Sequence, residues 1–483
     1  MLQNWHVGLR DRIDRSRREP LHFQIVNAIV QDIESGRLPS GAYLPSSRGL
    51  AAMLDLNRKT VVLVYQHLIA QGWLTSLGTR GTAVASTLPE VPATTAPSDP
   101  GPDNVGYTYA VPPARALSIP EGPGLRLDEG TPDGRLFRHN LLVKSYRSAA
   151  QRIARANGFK YRDPRGTRAL RGAIAEMLCS KRGMDIGEDN VCITRGSQNG
   201  IHLACQMLLQ PGDTVIVEEL TYEPAVAAMR ALGAKVIAVS VDEDGIDVED
   251  IAAACRLHRV RAVFVTPHHQ FPTTVVMRPE RRLRLVELAR QNGFAIIEDD
   301  YDHEFHFESQ PHLPIASYAP GQVIYVGSMS KLLLPTLRLG FAVAPRPVVD
   351  AIAHHVSLTD GMGNALEEEA VAQLIAEGEL QRHVRSARQI YAERRSAFSR
   401  NLDAVFGDLV DYRTPDGGLA FWLRFRTDIE RLEERAAASG LLFAPSQSYR
   451  QRDSAPRGLR VGFASLDAGE QLAALRLLRS AVP

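Results

Sequence analysis

Apolar positions along this chain follow two rhythms. In the first eighty or so residues they recur every three to four positions. In PLHFQIVNAIVQDIESG, Leu21, Ile25, Ile29 and Ile33 fall on one helical face, predicting an amphipathic helix opened by Pro20 and closed near Gly36. LPSSRGLAAMLDLNRKTVVLVYQHLIAQGWL predicts a helix, a short turn and a second helix, with Ser46 or Ser47 capping the first and Asn57 the second. The second opens on polar Arg58, Lys59 and Thr60, then sets Val61, Val64, Tyr65 and Leu68 as a buried stripe. WLTSLGTRGTAV follows, predicting two short strands around a turn with Arg80 at its tip.

Further along, uninterrupted apolar runs alternate with helical patterns. VCITRG precedes SQNGIHLACQMLL, TVIVEE precedes YEPAVAAMRALG, AVFVTP precedes PERRLRLVELARQNG, and FAIIEDDY comes next. That alternation predicts an α/β domain around a largely parallel sheet, where ligands bind beyond the carboxyl ends of the strands. Between the two rhythms, STLPEVPATTAPSDPGPDN holds five prolines and almost no large apolar side chain. Such a segment cannot offset the entropy of packing, and it predicts a semi-extended linker. The expected organisation is a small domain over 1–85, a linker over 86–120 and a large domain over 121–483.

Composition adjusts this picture only slightly. At 483 residues, 44% hydrophobic and 23% charged, the chain has the length of two or more domains and the balance of a globular protein. A net charge of +1 excludes a uniformly basic nucleic-acid binder, but residues 1–80 carry ten Lys/Arg against six Asp/Glu. Cys179, Cys192, Cys205 and Cys255 are too scattered for a zinc site or a disulfide framework. No metal is expected. With no apolar h-region in MLQNWHVGLRDR and no run of roughly 18–20 apolar residues, no signal peptide and no membrane span are expected, and the cytoplasm is the expected location.

The chemistry concentrates in SMSKLLLPTLRLGF, which places Lys331 among apolar residues and Arg338 seven positions later. A lysine removed from water is held partly neutral, and a neutral amine forms a Schiff base with an aldehyde. Pyridoxal 5′-phosphate is an aldehyde with further demands: an acid for its pyridine nitrogen, a donor for its ring oxygen, an aromatic neighbour and a phosphate cup. Asp299 ends an apolar strand, and Tyr301, two residues on, shares its side of an extended chain. Glu298 and Asp300 then face away as structural carboxylates. Tyr222 follows a strand and can stack on the ring. Ser197 and Gln198 open a helix whose N-terminal N–H groups suit a phosphate, and Ser328, Ser330 and Arg338 complete the cup.

Two resemblances follow from these motifs. Three helices, LPSSRGLA and the wing occur in the order of the GntR-type winged helix-turn-helix, over about residues 18–85. That implies binding to a double-stranded DNA operator, with Arg48, Arg58, Lys59, Thr60 and Arg80 as contacts to bases or phosphates. SMSKLLLPTLRLGF and EDDY, with YRDPRGTRALRGAIA, TPHHQFPTT and GLRVGFAS in order, resemble class I aminotransferases of PLP fold type I. This implies a large domain with a mostly parallel sheet, a small C-terminal domain, and Arg460 as the partner of an effector carboxylate. The fusion as a whole resembles the MocR/GabR regulators. It implies a domain-swapped, head-to-tail homodimer whose DNA affinity responds to a small amino compound, sensed by external aldimine formation at Lys331, or to the cofactor itself.

Two departures stand out. Phe271-Pro-Thr-Thr274 replaces the Asn-Pro-Thr-Gly of class I aminotransferases, losing an asparagine contact to the ring oxygen. Thr274 also stands where the regulators carry glycine, at a position that favours glycine if φ is positive. His268 and His269 lie close by; each is expected to pack the loop, with contact of one of them to the cofactor as the alternative. An active aminotransferase with an accessory DNA-binding domain, or a constitutive DNA binder with a structural cofactor, remain alternatives. A small amino acid, a polyamine, taurine or the cofactor itself are all compatible signals.

Overall fold

The computed structural model describes residues 5–88, 108, 124–308 and 312–482, and contacts divide the chain into two units, Met1–Pro113 and Ala114–Pro483. The linker expected over 86–120 lies, apart from residues 86–88 and 108, outside the described residues.

In the first unit, α1 (Leu21–Glu34), α2 (Ser47–Leu54) and α3 (Arg58–Ala70) pack with a three-stranded sheet of order β1-β3-β2, built from β1 (Tyr43–Leu44), β2 (Leu74–Ser76) and β3 (Thr82–Val84). The apolar periodicity dictates the packing: Ile25, Ile29 and Ile33 of α1 meet Leu50 and Leu54 of α2 and Val61, Val64 and Leu68 of α3 in one core. Ser46, not Ser47, caps α2 by accepting from the Gly49 N–H at 3.1 Å, and Asn57 caps α3 by accepting from the Lys59 N–H at 2.9 Å.

The second unit is organised by a seven-stranded sheet. Its strands are β5 (Val191–Thr194), β6 (Thr214–Glu218), β7 (Lys235–Val239), β8 (Val260–Val265), β9 (Ala295–Asp300), β10 (Val323–Ser328) and β11 (Gly340–Val343). Their order is β5-β11-β10-β9-β8-β6-β7, parallel throughout except for β11, which runs antiparallel to both neighbours. The central strands are buried along almost their whole length, because helices cover both faces. Among these are α4 (Ser197–Leu208) after β5, α5 (Glu223–Ala231) after β6 and α6 (Pro279–Asn292) after β8. Toward the C-terminus, β12 (Val410–Tyr412), β13 (Ala420–Phe425) and β15 (Leu459–Gly462) form a separate antiparallel sheet. A parallel pair joins β4 (Leu125–Leu127) to β14 (Leu441–Phe443), tying the start of the unit to its C-terminal part.

Candidate functional site

The carboxyl ends of β9 and β10 and the N-terminus of α4 border a cavity of about 430 Å³. Lys331, Ser197, Gln198, Tyr222, Asp299, Tyr301, Ser328, Ser330 and Arg338 all line it, so residues spread over 142 positions of sequence converge on one space. Arg126, Asp128, Glu129, Thr131, Phe271 and Pro335 complete the wall.

Lys331 follows β10, and its ammonium group donates to the Gly130 carbonyl at 2.6 Å. Loss of water pulls its pKa below the usual value for lysine, partly offset by the Asp128 charge. Asp299 is buried, and its Oδ1 has no hydrogen-bond partner. Burial first, then the charges of Asp300, Asp302 and Glu218, hold its carboxyl well above the ordinary range. A buried carboxyl group lining a cavity with an acceptor oxygen left unpartnered is a place prepared for a cationic or N–H-bearing group.

The flanking carboxylates are already committed. Glu298 accepts from the N–H groups of Ile315 and Ala316, both at 2.9 Å. Asp300 pairs with Arg182 at 2.5 Å and accepts from the Tyr325 hydroxyl at 2.8 Å. Tyr301 emerges on the same side as Asp299, and its hydroxyl donates to the His269 carbonyl at 2.8 Å. Neither His268 nor His269 lines the cavity. His268 lies against Arg182, Asp300 and the His312 carbonyl, while His269 Nδ1 meets Asp302 at 2.6 Å.

At the anion-binding end, Gly196 caps α4 with φ +83°, and a Cβ there would stand 3.3 Å from the Arg338 guanidinium. Glycine therefore lets the arginine close over the helix N-terminus. Arg338 itself donates to the Arg195 carbonyl at 3.3 Å, and the Ser330 N–H donates to Ser328 Oγ at 3.2 Å.

Arg460, on β15, stands one layer behind the wall. It is 1% exposed and donates to the carbonyls of Glu129 at 2.9 Å and Pro272 at 3.0 Å, and to the Tyr301 hydroxyl at 3.2 Å. The Phe271 ring covers its guanidinium, 4.7 Å from centroid to carbon. Thr274 has φ +64°, the left-handed conformation that glycine would adopt without strain.

The sequence reading passed over the segment carrying Arg126, Asp128, Glu129 and Thr131. Its signal was the turn DEGTPD, in which Asp128 Oδ1 accepts from the N–H groups of Gly130 and Thr131, each at 2.7 Å, and Gly130 has φ +99°.

In the first unit, Arg48, Arg58 and Lys59 are exposed on α2 and at the start of α3, Thr60 is half-buried beside them, and Arg80 is exposed in the turn between β2 and β3. The Arg58 guanidinium donates to Ser47 Oγ at 3.5 Å, and the back faces of the helices are buried in the core.

Residues 21–84 match the bacterial regulatory proteins of the GntR family, and residues 124–478 match aminotransferase class I and II. Across both, the chain is 30% identical over 478 residues to the probable rhizopine catabolism regulatory protein MocR of Rhizobium meliloti, covering 97% of this chain and 95% of that protein. The chain belongs to the MocR-type GntR regulators. It is also 30% identical to the HTH-type transcriptional regulator TauR of Rhodobacter capsulatus, over 89% of each protein. Among solved structures, the α-aminoadipate aminotransferase LysN of Thermus thermophilus, complexed with N-(5′-phosphopyridoxyl)-L-leucine, is 27% identical. The match has a TM-score of 0.68 and covers 74% of this chain and 92% of that one. The protein is therefore an HTH-type transcriptional regulator that binds DNA through its GntR domain and carries an aminotransferase-like domain. No described helix is long and apolar enough to cross a membrane.

Proposed function

We propose that this MocR-type regulator senses a small amino compound at pyridoxal 5′-phosphate held in the cavity around Lys331, and transmits its presence to the DNA-binding domain. The observation that carries the reading is the pairing of a desolvated lysine with a buried, partnerless carboxylate oxygen across one cavity. The donor set fits this cofactor: Asp299 would hold the pyridine nitrogen, and Tyr301 would donate to the ring oxygen. Tyr222 would offer its ring, and Ser197, Gln198, Ser328, Ser330 and Arg338, which line the same cavity, would take the phosphate. When bound, the cofactor supplies an electrophilic aldehyde carbon for an amine.

The protein supplies everything else. Burial lowers the proton affinity of Lys331, and the Gly130 carbonyl orients its nitrogen. Asp299 gives up its proton most readily to a basic nitrogen placed against it, because an opposite charge is what its environment lacks. Arg460 has five N–H donors and spends three on protein acceptors, leaving two for an effector carboxylate once the Phe271 ring turns aside. The absence of an asparagine at position 271 removes an amide donor from the ring oxygen, which favours sensing over turnover.

The domain boundaries we assign are 1–85, 86–120 and 121–483. We further propose a cytoplasmic homodimer, head to tail, in which the linker lets each DNA-binding domain cross to the partner. The effector changes operator affinity only by its differential affinity for the two states of that dimer.

The test is the visible absorption of purified protein during titration with a panel of amines, with and without a keto-acid acceptor. A band shift with one class of amine and no new amino acid supports sensing. A band that cycles while product accumulates shows an aminotransferase instead.

A further inference from the structure

We propose that Arg126 receives a second anionic group on the effector, so that the signal is an acidic amino compound rather than a neutral amino acid or a polyamine. The inference rests on the amino-compound reading above. Arg126 is the middle residue of β4, flanked by half-buried Leu125 and buried Leu127. The period-two alternation of a strand sends those leucines to the core and Arg126 to the opposite side, where it lines the cavity and is exposed.

Other cavity charges have assigned work. Lys331 donates to Gly130 and Arg338 to the Arg195 carbonyl beside Gly196. The Asp128 carboxylate is held by two backbone N–H groups and by the Ser465 hydroxyl at 2.5 Å. Glu129 shares the wall, and its charge acts on Lys331 and Tyr449. Arg126 is different: among the described residues no hydrogen bond or ion pair engages it. With Arg460 reserved for one carboxylate and Arg338 for the phosphate, Arg126 is the cation left at this cavity among the described residues, and its planar fork suits a carboxylate or sulfonate. Its place four residues before Gly130, the residue that holds Lys331, keeps its Cα within about 14 Å of that glycine. A side-chain acid on an amino compound attached near Lys331 is within such reach.

The experiment is calorimetric titration of cofactor-loaded, full-length protein with L-glutamate, L-2-aminoadipate, L-glutamine, L-norleucine and putrescine. It is repeated with Arg126→Gln and Arg126→Lys, and the affinity for pyridoxal 5′-phosphate is measured alongside. The expected result is acidic compounds binding about tenfold more tightly than neutral ones, as for a charge-assisted pair. Arg126→Gln erases that gap, Arg126→Lys keeps part of it, and neither changes cofactor affinity. The proposal is overturned if the gap survives Arg126→Gln, if neutral compounds bind as well as acidic ones, or if putrescine is preferred, which would assign the wall to Glu129. A loss of cofactor affinity in Arg126→Gln would move Arg126 to the phosphate and overturn it equally. If no amino compound binds wild type, the sensing reading itself fails, a result separate from all of these.

Discussion

Replacing Asp299 with Asn should have opposite effects on the empty and the loaded protein. Without cofactor, Asp299 is a buried carboxyl whose Oδ1 has no partner, and burial with the charges of Asp300, Asp302 and Glu218 raises its pKa well above 3.8. The folded state therefore keeps a proton that the unfolded chain has released. The group's favourable contribution is complete below pH 3.8 and is lost as pH rises toward the folded pKa, at about 1.4 kcal/mol for each unit of that window. Asparagine keeps the shape and does not ionise. Cofactor-free Asp299→Asn should match wild type near pH 4 and exceed it at pH 8, by about 1.4 kcal/mol for each unit by which the folded pKa stands above 3.8, because only the aspartate must ionise in its buried site. Glu298, pushed up to about 7 by burial, adds the same slope in both proteins and drops out of the difference. Loaded with cofactor, the sign reverses: the variant loses the carboxylate proposed to hold the pyridine nitrogen, and should bind the cofactor more weakly and gain less stability from it. The assay is thermal unfolding of both proteins between pH 4 and 8, with and without pyridoxal 5′-phosphate, together with a cofactor titration. A cofactor-free variant with no pH-dependent advantage, or one that binds cofactor as tightly as wild type, refutes the assignment.

Arg58→Ala and Arg80→Ala should each reduce the slope of log K against log salt for operator binding by about 0.9 if each touches one phosphate; an unchanged slope in both places the DNA elsewhere. Asn57→Ala removes the side chain that caps α3 and should destabilise the winged-helix unit by about 1 kcal/mol, read as an earlier unfolding transition with the cavity's cofactor affinity unaltered. Thr274→Gly should relieve a left-handed β-branched residue costing about 1–2 kcal/mol, less about 0.5–1 kcal/mol for glycine's freedom in the unfolded chain. Thr274→Ala, which keeps its Cβ, should show no such gain in thermal unfolding.

Much of this architecture could be read from residue order, because it rests on local signals. Strand-length apolar runs located β5, β6, β8 and β9 and placed Asp299 and Tyr301 at a strand end. Period-two alternation separated them from Glu298 and Asp300, whose partners the structure supplies. Helix signals were equally local, and only the choice between Ser46 and Ser47 needed coordinates. What stayed hidden depends on contacts between distant residues. Arg126 reaches the cavity because β4 pairs with β14, setting Arg126 opposite Leu442 across the C-terminal part of the chain. The burial of Arg460 behind Phe271 likewise joins β15 to the loop after β8, and no periodicity in either segment records it.

The central claim is that chemistry at Lys331 governs DNA binding. It is tested most directly by measuring affinity for a DNA fragment the protein selects from a random pool, with and without the amino compound that shifts its visible band. Wild type and Lys331→Ala are compared, both supplied with pyridoxal 5′-phosphate. A coupling of about 1–3 kcal/mol, or 5–150-fold in affinity, should appear in wild type and vanish in Lys331→Ala. An equal response in both proteins, or none in wild type, would contradict the account.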